Sequence, residues 1–196
     1  MAIASRCCKI EFPPLSRDDL AGWIAAHGVA PNQTDALIEA SGGDLRRLEL
    51  LIDDPGFAER SALWRDLPTT IDGTGATSGR LVRELVAMMA GASEPLTVRH
   101  EQELKELDAR EEMLGTRGSG RSGVDARHKR ELRRLRTEEV RFGLRVLARR
   151  YSRALAAGGG RELVDAVSRL RQANDALIRN PNETLLLHNL FWGLPP

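Results

Sequence analysis

Residues 131–155 read ELRRLRTEEVRFGLRVLARRYSRAL, with an apolar side chain recurring every three to five positions. Because an α-helix turns once in about 3.6 residues, side chains at this spacing lie on one face. The pattern predicts a single long amphipathic helix over 125–156. Its apolar stripe consists of Leu132, Leu135, Val140, Leu144, Leu147, Tyr151 and Leu155.

The composition of the whole chain also favours packed helices. The 196 residues are 41% apolar but only 4% aromatic, and 29% are charged. Leucine, alanine and valine must therefore fill most of the core, and runs of β-branched residues are few, which suits helices better than a sheet. We expect an all-α protein of one ordinary domain or two small ones.

The formal charge of the chain is +1, but it is unevenly distributed along the sequence. Residues 1–113 carry a net charge of −8, whereas 127–153 alone carry +8, from 11 Lys or Arg against three Asp or Glu. Such asymmetry indicates a localised contact with a polyanion or a partner protein. The alternative is that the arginines line the solvated face of one long helix.

Cysteine usage and hydropathy predict a reduced, cytoplasmic protein. The two cysteines, Cys7 and Cys8, are adjacent and cannot form a low-strain disulfide with each other. No His or Cys cluster has the spacing of a zinc site, so we expect no metal. No apolar run approaches the roughly 20 residues that span a bilayer, and no signal sequence opens the chain, so no membrane contact is expected.

Turn signals predict the boundaries of the remaining elements. Residues 9–12 alternate apolar and polar side chains before two prolines, the pattern of one short strand. Ser16 and Asp44 are expected to cap helices, with Gly42 and Gly43 separating the second helix from the third. The aperiodic stretch 71–79 is predicted to be a linker between two domains, after which Ser78 would cap the next helix.

The second half of the chain contains a glycine-rich stretch and a strongly apolar last helix. Residues 115–123 hold four glycines and almost no apolar side chain, so we expect a flexible insert. The last helix, around 183–192, is apolar on nearly all sides. A helix of that kind is expected to be inserted among other helices.

Spacing alone offers little catalysis. No glycine-rich loop is followed by Lys and then Ser or Thr, so the phosphate cradle of an independent nucleotide hydrolase is missing. No histidine stands beside a nucleophile signature. The four histidines are His27, His100, His128 and His188.

Two arginine motifs give the sequence its strongest functional indication. The first is Ser5-Arg6-Cys7, and the second is Gly43-Asp44-Leu45-Arg46-Arg47-Leu48. Together they resemble landmarks of the clamp-loader ATPases of the AAA+ family, in bacterial gamma and delta-prime subunits. The resemblance implies that Arg6 is a catalytic arginine finger offered in trans to a neighbour's ATP site. It also implies that Arg46 is sensor-2-like, a nucleotide-approaching position that is vestigial in this chain.

The resemblance to this family covers nearly the whole chain. Residues 35–53 are close to its lid signature, and the later half is similar to collars of the delta-prime type in bacterial DNA polymerase III. It implies the end of an AAA+ core and a lid bundle at 1–70, and a collar for oligomerisation at 80–196. The N-terminal ATPase core would be missing, which leaves the strand at 9–12 without its sheet.

The resemblance also implies a function and partners. The chain would join gamma/tau and delta subunits in the pentamer that loads the sliding clamp on primed DNA during replication. It would bind no cofactor itself, since ATP would sit in neighbouring subunits, and it would not be an enzyme alone. Alternatives left open are a small all-helical DNA-binding or protein-binding module using Arg127 to Arg153, and an ATPase acting alone.

Overall fold

A computed structural model describes residues 13–115 and 120–196, and all regular structure within those ranges is helical. The all-α prediction is therefore confirmed, while the strand predicted at 9–12 lies outside the described residues. No helix in the described ranges is long and apolar enough to cross a bilayer. The helices are α1 (Arg17–Ala26), α2 (Pro31–Ser41), α3 (Leu45–Ile52), α4 (Phe57–Thr70), α5 (Gly75–Ala92), α6 (Glu94–Leu114), α7 (Arg121–Ala156), α8 (Arg161–Ala176), a 3₁₀ turn (Leu177–Arg179) and α9 (Glu183–Trp192).

The chain divides into two compact units, of which the first ends at Asp53 and the second runs from Asp54 to Pro196. This division falls before α4, whereas the sequence predicted a linker at 71–79. Helix α4 continues to Thr70 and α5 begins at Gly75, so only 71–74 of that stretch lie outside a helix. The identification of the two units as lid and collar stays a prediction.

The first unit contains three short helices, and both predicted caps are confirmed. The Ser16 hydroxyl accepts from the Asp19 N–H, and the Asp44 carboxylate accepts from the Arg47 N–H, each at 3.2 Å. Between α2 and α3, Gly43 adopts φ +87°, and a Cβ there would lie 2.4 Å from the Pro14 Cβ. Glycine is therefore required where the chain passes this close to itself.

The start of α5 corrects the predicted cap at Ser78. The Asp72 carboxylate accepts from the Thr74 N–H at 2.9 Å and from the Thr74 and Thr77 hydroxyls at 2.7 Å. Thr74 then caps the helix, which begins at Gly75. The hydrogen bonds from Thr77 and Thr74 lower the pKa of Asp72 to about 2. Ser78 is instead buried inside α5, because these acceptors begin the helix one turn earlier.

The core of the second unit forms where α4 meets α7 and α9. Trp64 of α4 is fully buried, and its ring stands edge-on to Phe191 of α9 with centroids 5.9 Å apart. At Gly143 of α7 a Cβ would lie only 2.0 Å from the Trp64 ring. The close approach of α4 and α7 therefore depends on Gly143. A glycine inside a helix usually lowers stability, so its presence here fits this packing contact.

The stripe predicted on α7 faces the interior of its own unit. Val140, Leu144, Leu147 and Tyr151 are all buried there, while Leu132, Leu135 and Leu155 are half-buried. The helix begins at Arg121 rather than near 125, and 116–119 of the predicted insert lie outside the described residues.

A buried arginine joins α7 to the start of α4. The Arg60 side chain is 2% exposed; its Nε donates to Glu139 Oε1 at 3.2 Å, and its Nη atoms donate to both Asp54 carboxylate oxygens. Burial acts to lower the pKa of Arg60, but the Asp54 hydrogen bonds and the two carboxylate charges raise it overall. The arginine therefore stays charged in the core, and replacing it with a neutral residue would remove the cation that both carboxylates share.

We predict that Gly143→Ala lowers the free energy of unfolding of the second unit by about 1–3 kcal/mol, because the added methyl group overpacks the core against the Trp64 ring. Gly123→Ala, in the same helix, is the matched control because nothing lies within 4 Å of its Cβ position. Urea unfolding followed by circular dichroism measures both. Equal effects of the two substitutions would contradict the packing described here.

Candidate functional site

Arg46 lies in the first turn of α3, directly after the Asp44 cap. Its side chain is exposed and has no hydrogen-bond or ion-pair partner among the described residues. The neighbouring Arg47 is held instead, since its Nε donates to the Ala40 carbonyl at 2.7 Å. Of the two arginines in this motif, Arg46 is therefore the one that can extend towards an anion at the positive end of a helix.

Arg6, the predicted arginine finger, lies outside the described residues. The structure therefore describes one of the two predicted site residues and gives no geometry between them. The role of Arg6 stays a prediction from the Ser5-Arg6-Cys7 motif.

Helix α9 has two different apolar sides. Leu187, Leu190 and Phe191 are buried, and the helix contacts α5 and α8. Leu185 and Trp192, two turns apart on another side, are 68% and 61% exposed. The last helix therefore packs among other helices of its unit, as predicted, but one of its apolar sides is left exposed. Leu185 and Trp192 are seven residues apart, which places both on one solvent-facing side of α9.

A shallow groove of about 200 Å³ runs beside this exposed side, between α8 and α9. Its floor is apolar, and its rim carries Arg169, Gln172 and Asn189. An apolar floor with a polar rim is the usual composition of a protein–protein contact. The apolar lining residues are Ala173, Ala176, Leu186 and Leu190.

Two histidines that lie far apart in the sequence meet between α6 and α7. The His100 and His128 rings are stacked, with centroids 3.8 Å apart and planes 6° from parallel. His100 Nε2 lies 2.8 Å from a Glu131 oxygen, and His128 Nε2 lies 2.8 Å from a Glu103 oxygen. We call these four residues the histidine clasp. Each ring thus bonds a carboxylate of the opposite helix.

A repeated motif explains the geometry of the histidine clasp. The pattern Arg-His-x-x-Glu occurs at 99–103 on α6 and again at 127–131 on α7. In each copy the His and Glu lie three positions apart, on the same helical face. Two such faces in contact therefore place each His against the other helix's Glu. This repeat was the sequence signal that could have revealed the clasp.

Two arginines next to the histidine clasp pair with its carboxylates. The His128 hydrogen bond lowers the pKa of Glu103, and the His100 hydrogen bond lowers the pKa of Glu131. Arg127 pairs with Glu103, and Arg99 lies 3.3 Å from Glu131. His100 is the buried residue of α6, so the clasp and its ion pairs largely fasten this helix to α7.

The described residues hold no group of three or more His, Cys, Asp or Glu side chains that could bind a metal ion. The histidine clasp is interpreted as a fastening between helices, because its rings stack and each ring pairs with a carboxylate of the other helix. In comparisons with known proteins, no family model, no curated protein and no solved structure matches the chain. The clamp-loader interpretation accordingly depends on the sequence motifs and on the surfaces described above.

We predict that Glu103→Gln with Glu131→Gln lowers the melting temperature at pH 7, because the ionised carboxylates accept stronger hydrogen bonds than amides do. Both carboxyl pKa values are lowered in the fold, so this stabilisation is present above the ordinary glutamate range and is lost as the pH falls. The difference from the unchanged chain should therefore shrink in acid.

Glu106→Gln with Glu112→Gln provides the matched control for the histidine clasp, since both side chains are exposed on α6. Differential scanning calorimetry at several pH values compares the two pairs. An equal fall in melting temperature for both pairs would contradict a stabilising role of the clasp carboxylates.

Proposed function

We propose that the chain is a clamp-loader subunit of the delta-prime type, which helps to assemble the pentamer that loads the sliding clamp on primed DNA. The observation that carries the proposal is the motif Gly43 to Leu48. Its glycine and aspartate act in the turn and cap that begin α3, and Arg46 extends to solvent directly after them. This is the setting that the sensor-2 resemblance implies.

In this proposal Arg6 acts at a neighbour's ATP site. A guanidinium is planar, always charged and able to bridge two phosphate oxygens, so it stabilises charge that develops during phosphoryl transfer. Arginine fingers accelerate the reaction by about 10³- to 10⁵-fold in well-studied cases. The sequence contains no phosphate loop of its own, which supports placing ATP in a neighbouring subunit.

The assembly surface is assigned to the exposed side of α9 and the groove beside it. The α7 stripe is not assigned this role, because Val140, Leu144, Leu147 and Tyr151 already lie buried in the core of the second unit. Leu185 and Trp192 remain available to a neighbour. A few residues carry most of the binding energy at protein interfaces, and tryptophan is among the residue types enriched there.

We predict that sedimentation velocity with the cognate gamma and delta subunits detects a complex at micromolar concentration. Leu185→Ala with Trp192→Ala should weaken association by roughly 30-fold or more, the loss expected for a truncated aromatic anchor. Val98→Ala with Met113→Ala is the control, because both side chains are apolar and exposed elsewhere in the same unit. A chain that never associates would overturn the proposal.

A second prediction concerns ATP turnover in the assembled complex. Arg6→Lys keeps the charge but cannot bridge two oxygens, so hydrolysis at the adjoining site should fall by roughly 10³-fold. Arg80→Lys, which changes an exposed arginine of α5, should leave turnover unchanged. Steady-state phosphate release measures both variants, and equal rates in a fully assembled complex would contradict the finger role.

A further inference from the structure

The N-terminal half of α7 presents a basic face. Lys129, Arg130, Arg133 and Arg136 are all exposed, and they cover about 10 Å of the helix axis. The carboxylate within this stretch, Glu131, is occupied by the histidine clasp. We call these four cationic residues the basic face.

The charge of the basic face is largely uncompensated. None of its four side chains has a hydrogen bond or ion pair with a described residue. Arg127, by contrast, is paired with Glu103. Burial raises the pKa of the Glu183 carboxyl, at the start of α9, while the positive charges of Arg136 and Arg133 act to lower it. This carboxyl therefore interacts with two of the four cations. One half-buried carboxyl against four cations leaves a surplus of positive charge.

The spacing of the basic face makes this surplus unfavourable for the isolated chain. Lys129 and Arg133 lie four positions apart, and Arg133 is three positions from both Arg130 and Arg136. Like charges at these spacings repel each other across one turn of a helix. An external polyanion would remove that repulsion.

The composition of the basic face favours phosphate over an acidic protein. Between positions 126 and 136, every exposed side chain of α7 except Ala126 is cationic. The stretch therefore lacks the apolar core of a protein interface. Guanidinium groups bind phosphate in a bidentate manner. A row of about 10 Å matches roughly three successive phosphates of one strand, at about 3.4 Å of duplex axis each.

We propose that the basic face of α7 binds the phosphate backbone of nucleic acid, without reading its sequence. The proposal is independent of the clamp-loader assignment, because it uses neither the exposed residues Leu185 and Trp192 nor either arginine motif. It assigns four of the cations behind the charge asymmetry to a ligand.

Fluorescence anisotropy tests the proposal with labelled duplex and single-stranded DNA of about 20 nucleotides, titrated with the full chain at about 50 and 200 mM salt. We expect binding whose affinity falls by roughly 50-fold over this range for about three phosphate contacts. Arg133→Gln with Arg136→Gln should reduce the salt slope by about 2 and the affinity at low salt by about tenfold or more.

Arg150→Gln with Arg153→Gln is the matched control, since both arginines are exposed near the other end of α7. Circular dichroism verifies that both double variants stay folded, and the control should retain full affinity. The proposal is overturned if neither DNA binds at low salt, if both pairs of substitutions lose affinity equally, or if polyglutamate of matched charge binds as tightly as DNA.

Discussion

The contact of the Trp64 ring with the backbone of α7 at Gly143 is the constraint on which the second unit depends. The same ring meets Phe191, so one buried side chain determines the positions of α4, α7 and α9 together. Its Nε1 has no hydrogen-bond partner among the described residues, which means that the contact is held by shape and apolar burial. Because α9 is seated by this packing on its inner side, its outer side is left with Leu185 and Trp192 exposed.

The histidine clasp represents a different way of holding helices together. In the core of the second unit, α7 is buried along an apolar stripe, whereas its N-terminal third meets α6 through stacked rings and carboxylates. Ionic fastening leaves the outward side of α7 free to carry arginines without burying them. The basic face and the proposed assembly surface differ in chemistry, since the first presents exposed cations and the second presents exposed apolar side chains.

Local chemistry explains which parts of the fold could be predicted from the sequence. The caps at Ser16 and Asp44 depend on side chains and backbone groups within three residues, and these predictions are confirmed. The long helix follows from its 3.6-residue periodicity. The start of α5 was predicted wrongly because the residues around Asp72 look like an ordinary turn in the sequence. In the structure, Thr74 and Thr77 both donate hydrogen bonds to the Asp72 carboxylate, and the helix begins there.

Long-range pairing limited the prediction of the sites. The histidine clasp requires the register of α6 against α7, which periodicity within either helix does not provide. Which side of α9 is covered depends in the same way on where Trp64 and Phe191 meet. Arg46 could be selected from its motif in the sequence. Only the structure shows that the neighbouring Arg47 is held by the Ala40 carbonyl while Arg46 is not. Arg6 stays a prediction based on sequence alone.

The most direct measurement of the central claim is hydrogen–deuterium exchange of the chain alone and mixed with gamma and delta clamp-loader subunits, the partners proposed for it. If α9 and the groove beside it form the assembly surface, the amides of α9 should exchange more slowly in the complex, while those of α6 should be unaffected. Unchanged exchange throughout α9, under conditions where a complex has formed, would contradict the assignment of the assembly surface.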